Sequence, residues 1–250
     1  MKLTVVGCSG SGPGPDSPAS CYLVEHEGFR LVLDLGNGSL GQLARYTDVR
    51  TLDAVLLSHL HSDHCLDACS FVVVHRYHPA GRPPPVPLLG PPGTSRRLSA
   101  ACDPGSGSIR DVFAFAELSE GSREIGPFTV GLARVNHPVE TYAVRLSVGG
   151  SSLTYSGDTG ASPALVELAR GSDVLLCEAS FVEPTGAEPG HPPNLHLTGR
   201  EAADHARQAE VGRLLLTHVP MWNDPSRVLA EADAVYAGPE LVSSGEVYQL

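Results

Sequence analysis

Six residues, His59-Leu60-His61-Ser62-Asp63-His64, confine this chain more than any other stretch. They follow the apolar run Val55-Leu56-Leu57-Ser58, which reads as a buried strand. Packing gives no reason to gather three imidazoles and a carboxylate where a core strand ends. Imidazole nitrogen and carboxylate oxygen are ligands of borderline divalent metals, zinc first. His59 and His61, two apart on an extended segment, point the same way. The turn at Ser62 then redirects Asp63 and His64.

Three more donors follow in the same local setting. His137 stands in Val135-Asn136-His137-Pro138, Asp158 in Tyr155-Ser156-Gly157-Asp158-Thr159-Gly160, and His218 in Leu214-Leu215-Leu216-Thr217-His218. Each ends a strand-like run. Strands that end at one edge of a layered α/β protein bring their terminal residues to a common ligand-binding edge.

This donor pattern resembles the metallo-β-lactamase superfamily of dinuclear metallohydrolases, with the match running from Gly7 to His218. His137-Pro138-Val139-Glu140-Thr141 and His196-Leu197-Thr198 resemble the branch that holds ribonuclease Z and related phosphodiesterases. Val6-Gly7-Cys8-Ser9-Gly10-Ser11 with Pro15-Asp16-Ser17-Pro18-Ala19-Ser20 is similar to an actinobacterial group described as atypical cyclic-nucleotide phosphodiesterases. The resemblance implies a four-layer αββα sandwich, an α/β (α+β layered) fold, over a single domain, 1–250. It implies that His59, His61 and His137 hold one ion and that Asp63, His64 and His218 hold a second. Asp158 would bridge them, and Asp34 would support the ligand histidines from behind. Homodimerisation is expected from the family alone.

Composition narrows the partners. The chain has 250 residues and a formal net charge of −11, with Lys2 as its one lysine. Such a chain is a poor candidate for broad nucleic-acid binding, which needs clustered Lys and Arg. Arg76, Arg82, Arg96 and Arg97 are read as solvated charge, with a substrate phosphate as the alternative. No signal peptide or membrane span is expected, and a cytoplasmic protein follows. The six cysteines show no disulfide-framework spacing and are expected to be reduced and mostly buried.

Pattern predicts helices at 39–46, 66–77, 94–101, 162–170, 198–209 and 225–236. It predicts strands at 3–6, 21–25, 30–33, 53–58, 86–89, 128–135, 142–148, 152–156, 174–177 and 213–217. Thr198 with Glu201 predicts a capping box. The glycine-rich loop 10–20 lacks the spacing of a nucleotide-phosphate loop. A flexible loop is expected at 103–108 and a polar, Pro-rich loop at 181–195, and specificity is expected in the loops 10–20, 79–108 and 181–195. His26, His75, His78, His191 and His205 have no ligand pattern. Trp222 is expected to pack rather than to stack on a base.

The expected chemistry is phosphodiester hydrolysis with two divalent ions, zinc first, then manganese or iron. The catalytic set is His196, Glu178 and Asp63: His196 as proton donor to the leaving oxygen, Glu178 as its orienting carboxylate, Asp63 as a ligand. The expected substrate is a small phosphodiester, a 3′,5′-cyclic nucleotide first. The span from His137 to Asp158 has no room for the long arm with which ribonuclease Z grips tRNA, so tRNA is not expected as a partner. A ribonuclease Z-like endoribonuclease and a non-catalytic metal-binding module are the alternatives.

Overall fold

The computed structural model describes residues 1–103, 105, 108–185 and 190–250. The loops expected at 103–108 and 181–195 lie partly outside the described residues. The chain forms two compact units, Met1–Leu118 with Ser244–Gln249, and Ser119–Ser243 with Leu250.

The first unit is built on a seven-stranded sheet. Its strands are β1 (Lys2–Gly7), β3 (Cys21–His26), β4 (Phe29–Leu33), β5 (Ala54–Leu56), β6 (Val86–Gly90), β7 (Phe113–Glu117) and β16 (Val247–Gln249), in the order β16-β1-β3-β4-β5-β6-β7. A two-residue strand, β2 (Ser9–Gly10), follows β1. The pairs among β16, β1, β3 and β4 are antiparallel. Those from β4 through β7 are parallel. The change has a local cause. A tight turn joins β3 to β4, whereas a parallel return needs a long crossover. Helices α1 (Ser39–Leu43), α2 (Ser62–Cys65), α3 (Ala68–Tyr77) and α4 (Thr94–Cys102) provide those crossovers. Leu35, Leu43, Leu57, Phe71, Leu98 and Phe113 belong to the core that these elements enclose.

The helix expected over 66–77 begins later, at Ala68, with the separate turn α2 before it. The Asp67 backbone N–H donates to the Leu35 carbonyl at 3.0 Å and its carboxylate accepts from the Leu40 N–H at 2.7 Å. These bonds draw the chain out of a continuous helix. The expectation of reduced cysteines fails at one pair. A disulfide joins Cys69 of α3 to Cys102 of α4, with Cα atoms 4.5 Å apart. Thirty-three residues separate the two, and only the helix pairing brings them together.

The second unit repeats the plan. Its sheet runs β15-β13-β12-β11-β10-β9-β8, from β8 (Gly121–Ile125), β9 (Phe128–Arg134), β10 (Tyr142–Val148), β11 (Ser151–Tyr155), β12 (Val174–Glu178), β13 (Arg213–Thr217) and β15 (Glu240–Leu241). β14 (Val219–Pro220) is again a two-residue strand. The pairs from β8 to β11 are antiparallel, and those from β11 to β15 parallel. Helices α5 (Pro163–Ala169), α6 (Gly199–Gln208) and α7 (Pro225–Asp233) return the chain between the parallel strands. α6 packs alanines 202, 203 and 206 into the core. Its capping box is formed as expected: Glu201 N–H donates to Thr198 Oγ1 at 3.2 Å, and Thr198 N–H to the Glu201 carboxylate at 2.9 Å. Among the described residues, no helix is long and apolar enough to cross a membrane.

Trp222 does not pack as expected. It is 69% exposed, beside Met221, which is also exposed.

Candidate metal-binding clusters

In the first unit the donors stand just past the carboxyl ends of the parallel strands β4 and β5, where α/β sheets collect ligands. Asp34, fully buried, is the hub. Its Oδ1 accepts from the Ser58 N–H at 2.7 Å. Its Oδ2 accepts from Ser58 Oγ at 2.8 Å and from His64 Nδ1 at 2.7 Å. Since the Ser58 hydroxyl gives its one proton to Asp34, it accepts from His59 Nδ1, 3.1 Å away. One carboxylate thus holds His64 directly and His59 through a serine. Asp34 has φ 58°, a left-handed conformation that Asp tolerates better than most residues. The next turn is pressed against the histidine motif. A Cβ at Gly36 would lie 2.0 Å from the Asp63 carbonyl oxygen, so only glycine fits.

These anchors fix which ring nitrogens remain for a metal. His59 and His64 are held at Nδ1 and offer Nε2. His59 Nε2 and His61 Nδ1 stand 3.1 Å apart with their rings near perpendicular at 83°, an arrangement in which both can point at one ion. His64 Nε2 stands 3.4 Å from Asp63 Oδ2, a second such pair. Neighbouring Cys65 is not a thiolate ligand: burial pushes its thiol up to about 12.

The second unit uses the same wiring around Glu178, the last residue of β12 and fully buried. Oε1 accepts from the Thr159 N–H at 2.6 Å and from His196 Nδ1 at 2.9 Å. Oε2 accepts from the Ser180 N–H at 3.2 Å and from Ser180 Oγ at 2.9 Å. Ser180 Oγ in turn accepts from His218 Nδ1 at 2.7 Å. His218 Nε2 is thereby turned toward Asp158 Oδ1, 3.5 Å away. His137 Nδ1 donates to the Leu195 carbonyl at 2.8 Å, which leaves its Nε2 as the ligand atom. A Cβ at Gly160 would meet Asn194 Cα at 2.6 Å, so this glycine lets the segment before Leu195 come close.

Glu178, His196 and His218 lie close enough to surround an ion. His196 already donates to Glu178, and Ser180 links Glu178 to His218, so this group has the wiring of a relay. The ring of His196 lies 5.4 Å from that of His137 and 5.6 Å from that of His218, and Phe181 meets it edge-on at 5.1 Å.

Sequence reasoning named every histidine and carboxylate of these clusters, Asp34 included. It missed Ser58 and Ser180. Both had a signal: each is within two residues of a named ligand or carboxylate at a strand end. The histidines set aside are otherwise engaged. His205 Nδ1 donates to the Glu201 carbonyl at 2.7 Å while its Nε2 accepts from the Ser162 N–H at 3.0 Å. His75 Nε2 donates to the Pro84 carbonyl at 3.1 Å.

A family model for the beta-lactamase superfamily domain matches residues 30–219. The chain belongs to that superfamily. An uncharacterized protein of Mycobacterium leprae is 46% identical over 257 residues, covering 100% of this chain and 89% of the relative. The probable metallo-hydrolase YhfI of Bacillus subtilis is 28% identical over the full length of both chains. Its crystal structure, described as a metallo-beta-lactamase fold protein, covers 99% of each chain with a TM-score of 0.86 at 27% identity. The ribonuclease Z of Myxococcus xanthus is 29% identical, covering 96% of this chain and 94% of that protein. This superfamily member therefore has the metallo-β-lactamase fold and is a metallo-hydrolase by family. Its His and Asp clusters are of the kind that bind divalent metal ions. The residues fit such ions, because each anchored imidazole has one nitrogen tied to protein and the other left for coordination.

Proposed function

We propose that this superfamily member is a dinuclear metal phosphodiesterase that acts on small phosphodiesters, a 3′,5′-cyclic nucleotide first. In this reading His59, His61 and His137 hold one divalent ion, Asp63, His64 and His218 the other, and Asp158 is shared. The set is all nitrogen and oxygen, which suits zinc, with manganese or iron as alternatives. Bound ions of this kind supply a nucleophilic water at neutral pH and neutralise charge on a phosphate diester.

The observation that carries the phosphodiester reading is the His196–Glu178 pair, joined at 2.9 Å. With Nδ1 held by a buried carboxylate, His196 has Nε2 to deliver a proton to the leaving ribose oxygen. Glu178 fixes the ring and stabilises the imidazolium that precedes transfer. Phe181, edge-on to the ring, limits its rotation.

A second reading, a ribonuclease Z-like endoribonuclease, is favoured by the Myxococcus relative. Against it, the chain from His137 to Asp158 is largely the hairpin of β10 and β11, with no inserted arm. The acidic balance also argues against tRNA. The test is hydrolysis of cyclic AMP, bis(p-nitrophenyl) phosphate and a tRNA precursor by zinc- or manganese-loaded protein. Turnover of the two small diesters alone supports the proposal. Accurate 3′ cleavage of the precursor reverses the ranking, and no turnover at all favours a metal-binding module.

A further inference from the structure

Most arginines of this acidic chain are paired with carboxylates. Arg76, read from sequence as one of a cluster with Arg82, Arg96 and Arg97, donates to Asp103 at 2.6 Å and to Asp111 at 2.6 and 2.8 Å. Arg82 reaches Asp111 at 3.1 Å. Arg96 and Arg97 differ. Both are exposed, and among the described residues neither makes an ion pair. They adjoin a cavity of about 460 Å³ whose wall also includes Leu60, Gly93 and Ala100. Among the residues lining it these two arginines are the charged ones.

Two further features favour an anion there. Gly93 caps α4 without a side-chain acceptor, and of the first helical N–H groups that of Thr94 already donates to the Pro91 carbonyl at 3.2 Å. A Cβ at Gly93 would have Arg96 Nη2 as its neighbour at 4.0 Å, so the guanidinium lies back over the helix start. Positive charge and the amino end of a nine-residue helix thus share one space. Leu60, on the same wall, sits between His59 and His61. The cavity therefore adjoins the first-unit metal cluster.

We propose that Arg96 and Arg97 form a subsite for a second phosphate group of the substrate. The inference rests on the phosphodiesterase reading and narrows it. Among small phosphodiesters, those that carry a further phosphate beyond the scissile bond are preferred. Arginine suits this task because its planar fork can grip a phosphate through two parallel N–H bonds.

The test compares adenosine 3′,5′-bisphosphate with AMP, which differ by one phosphate and contain no diester to hydrolyse. Calorimetric titration of the metal-loaded wild-type protein is expected to show about tenfold tighter binding of the bisphosphate, the scale of one charge-assisted contact. In Arg96→Ala/Arg97→Ala the preference is expected to fall below about twofold, with an unchanged melting temperature, since alanine suits an exposed helix. Equal binding of both ligands by wild type overturns the inference, and so does a preference that survives in the double variant. Hydrolysis of bis(p-nitrophenyl) phosphate by wild type reports separately on the proposed function. If it fails while the bisphosphate preference stands, the phosphodiesterase reading falls and the anion subsite remains.

Discussion

Asp34→Asn isolates what the hub of the first unit does. The substitution keeps the volume and suits φ 58°, where asparagine is tolerated. It removes one acceptor and introduces one donor. The buried Ser58 N–H donates to Oδ1, so the new amide oxygen takes the Oδ1 position and the amide nitrogen takes the Oδ2 position. That nitrogen then faces Ser58 Oγ and His64 Nδ1, which the native carboxylate holds at 2.8 and 2.7 Å. His64 Nδ1 must become an acceptor, which places its proton on Nε2. A protonated Nε2 cannot bind metal. One lost charge-assisted bond costs about 1.5–3 kcal/mol, or a fall of roughly 3–12 °C in melting temperature for a chain of this size. Metal affinity should fall about 10–100-fold, the usual effect of losing the partner of a ligating histidine. Metal content after dialysis against graded chelator measures this, with circular dichroism to confirm the fold. A folded Asp34→Asn protein with wild-type affinity for two ions would refute the assignment of His64 Nε2 as a ligand and of Asp34 as its anchor.

Other outcomes follow from the same geometry. Asp158→Ala should lose metal and activity together, and retention of two ions by elemental analysis would remove its shared role. His196→Ala should keep both metals while kcat falls about 10²–10⁴-fold, the usual scale of general acid catalysis; a parallel loss of metal would make it a ligand instead. Replacing Cys69 and Cys102 by serine opens a loop of 33 residues, worth about 3.7 kcal/mol in the chain-entropy treatment and roughly 7–15 °C by calorimetry. An unchanged melting temperature in oxidised and reduced protein would show that the bond does not form. Arg76 hydrogen-bonds to Asp111 and holds its carboxyl below the usual range, so this pair stabilises the fold above the ordinary carboxylate pKa and is lost as pH falls through the depressed value. Arg76→Ala should therefore flatten part of the acid limb of a stability–pH curve, and an identical limb would count against the pairing.

The central parallel strands were legible because they are short, apolar and punctuated by turn residues. The candidate donors were legible because each follows a strand end, His137 after the antiparallel β9. The sheet edges were not. Gly121–Ile125 is mostly exposed, so its alternation carries little hydrophobic signal. Glu240–Leu241 and Val247–Gln249 are too short for a period to show. Ser58 and Ser180 were missed because their importance lies in one proton each, which pattern does not encode. The disulfide was missed because it depends on how two helices pair, and spacing in sequence says nothing of that. Trp222 was misread because large aromatic rings are usually buried, and local sequence cannot report the open surface beside β14.

Each unit centres on one buried carboxylate that steadies one imidazole directly and another through a serine. In the first unit both imidazoles are metal donors in the proposed centre. In the second, one of the two is offered to the reaction instead. Because the Glu178 carboxylate serves both, the acid strength of His196 and the aim of His218 cannot be adjusted separately: a change that loosens one disturbs the other. Adaptation of this scaffold to new leaving groups would therefore fall on the walls around the pair, Phe181 and the segment that leads to Leu195, while the relay itself stays constant.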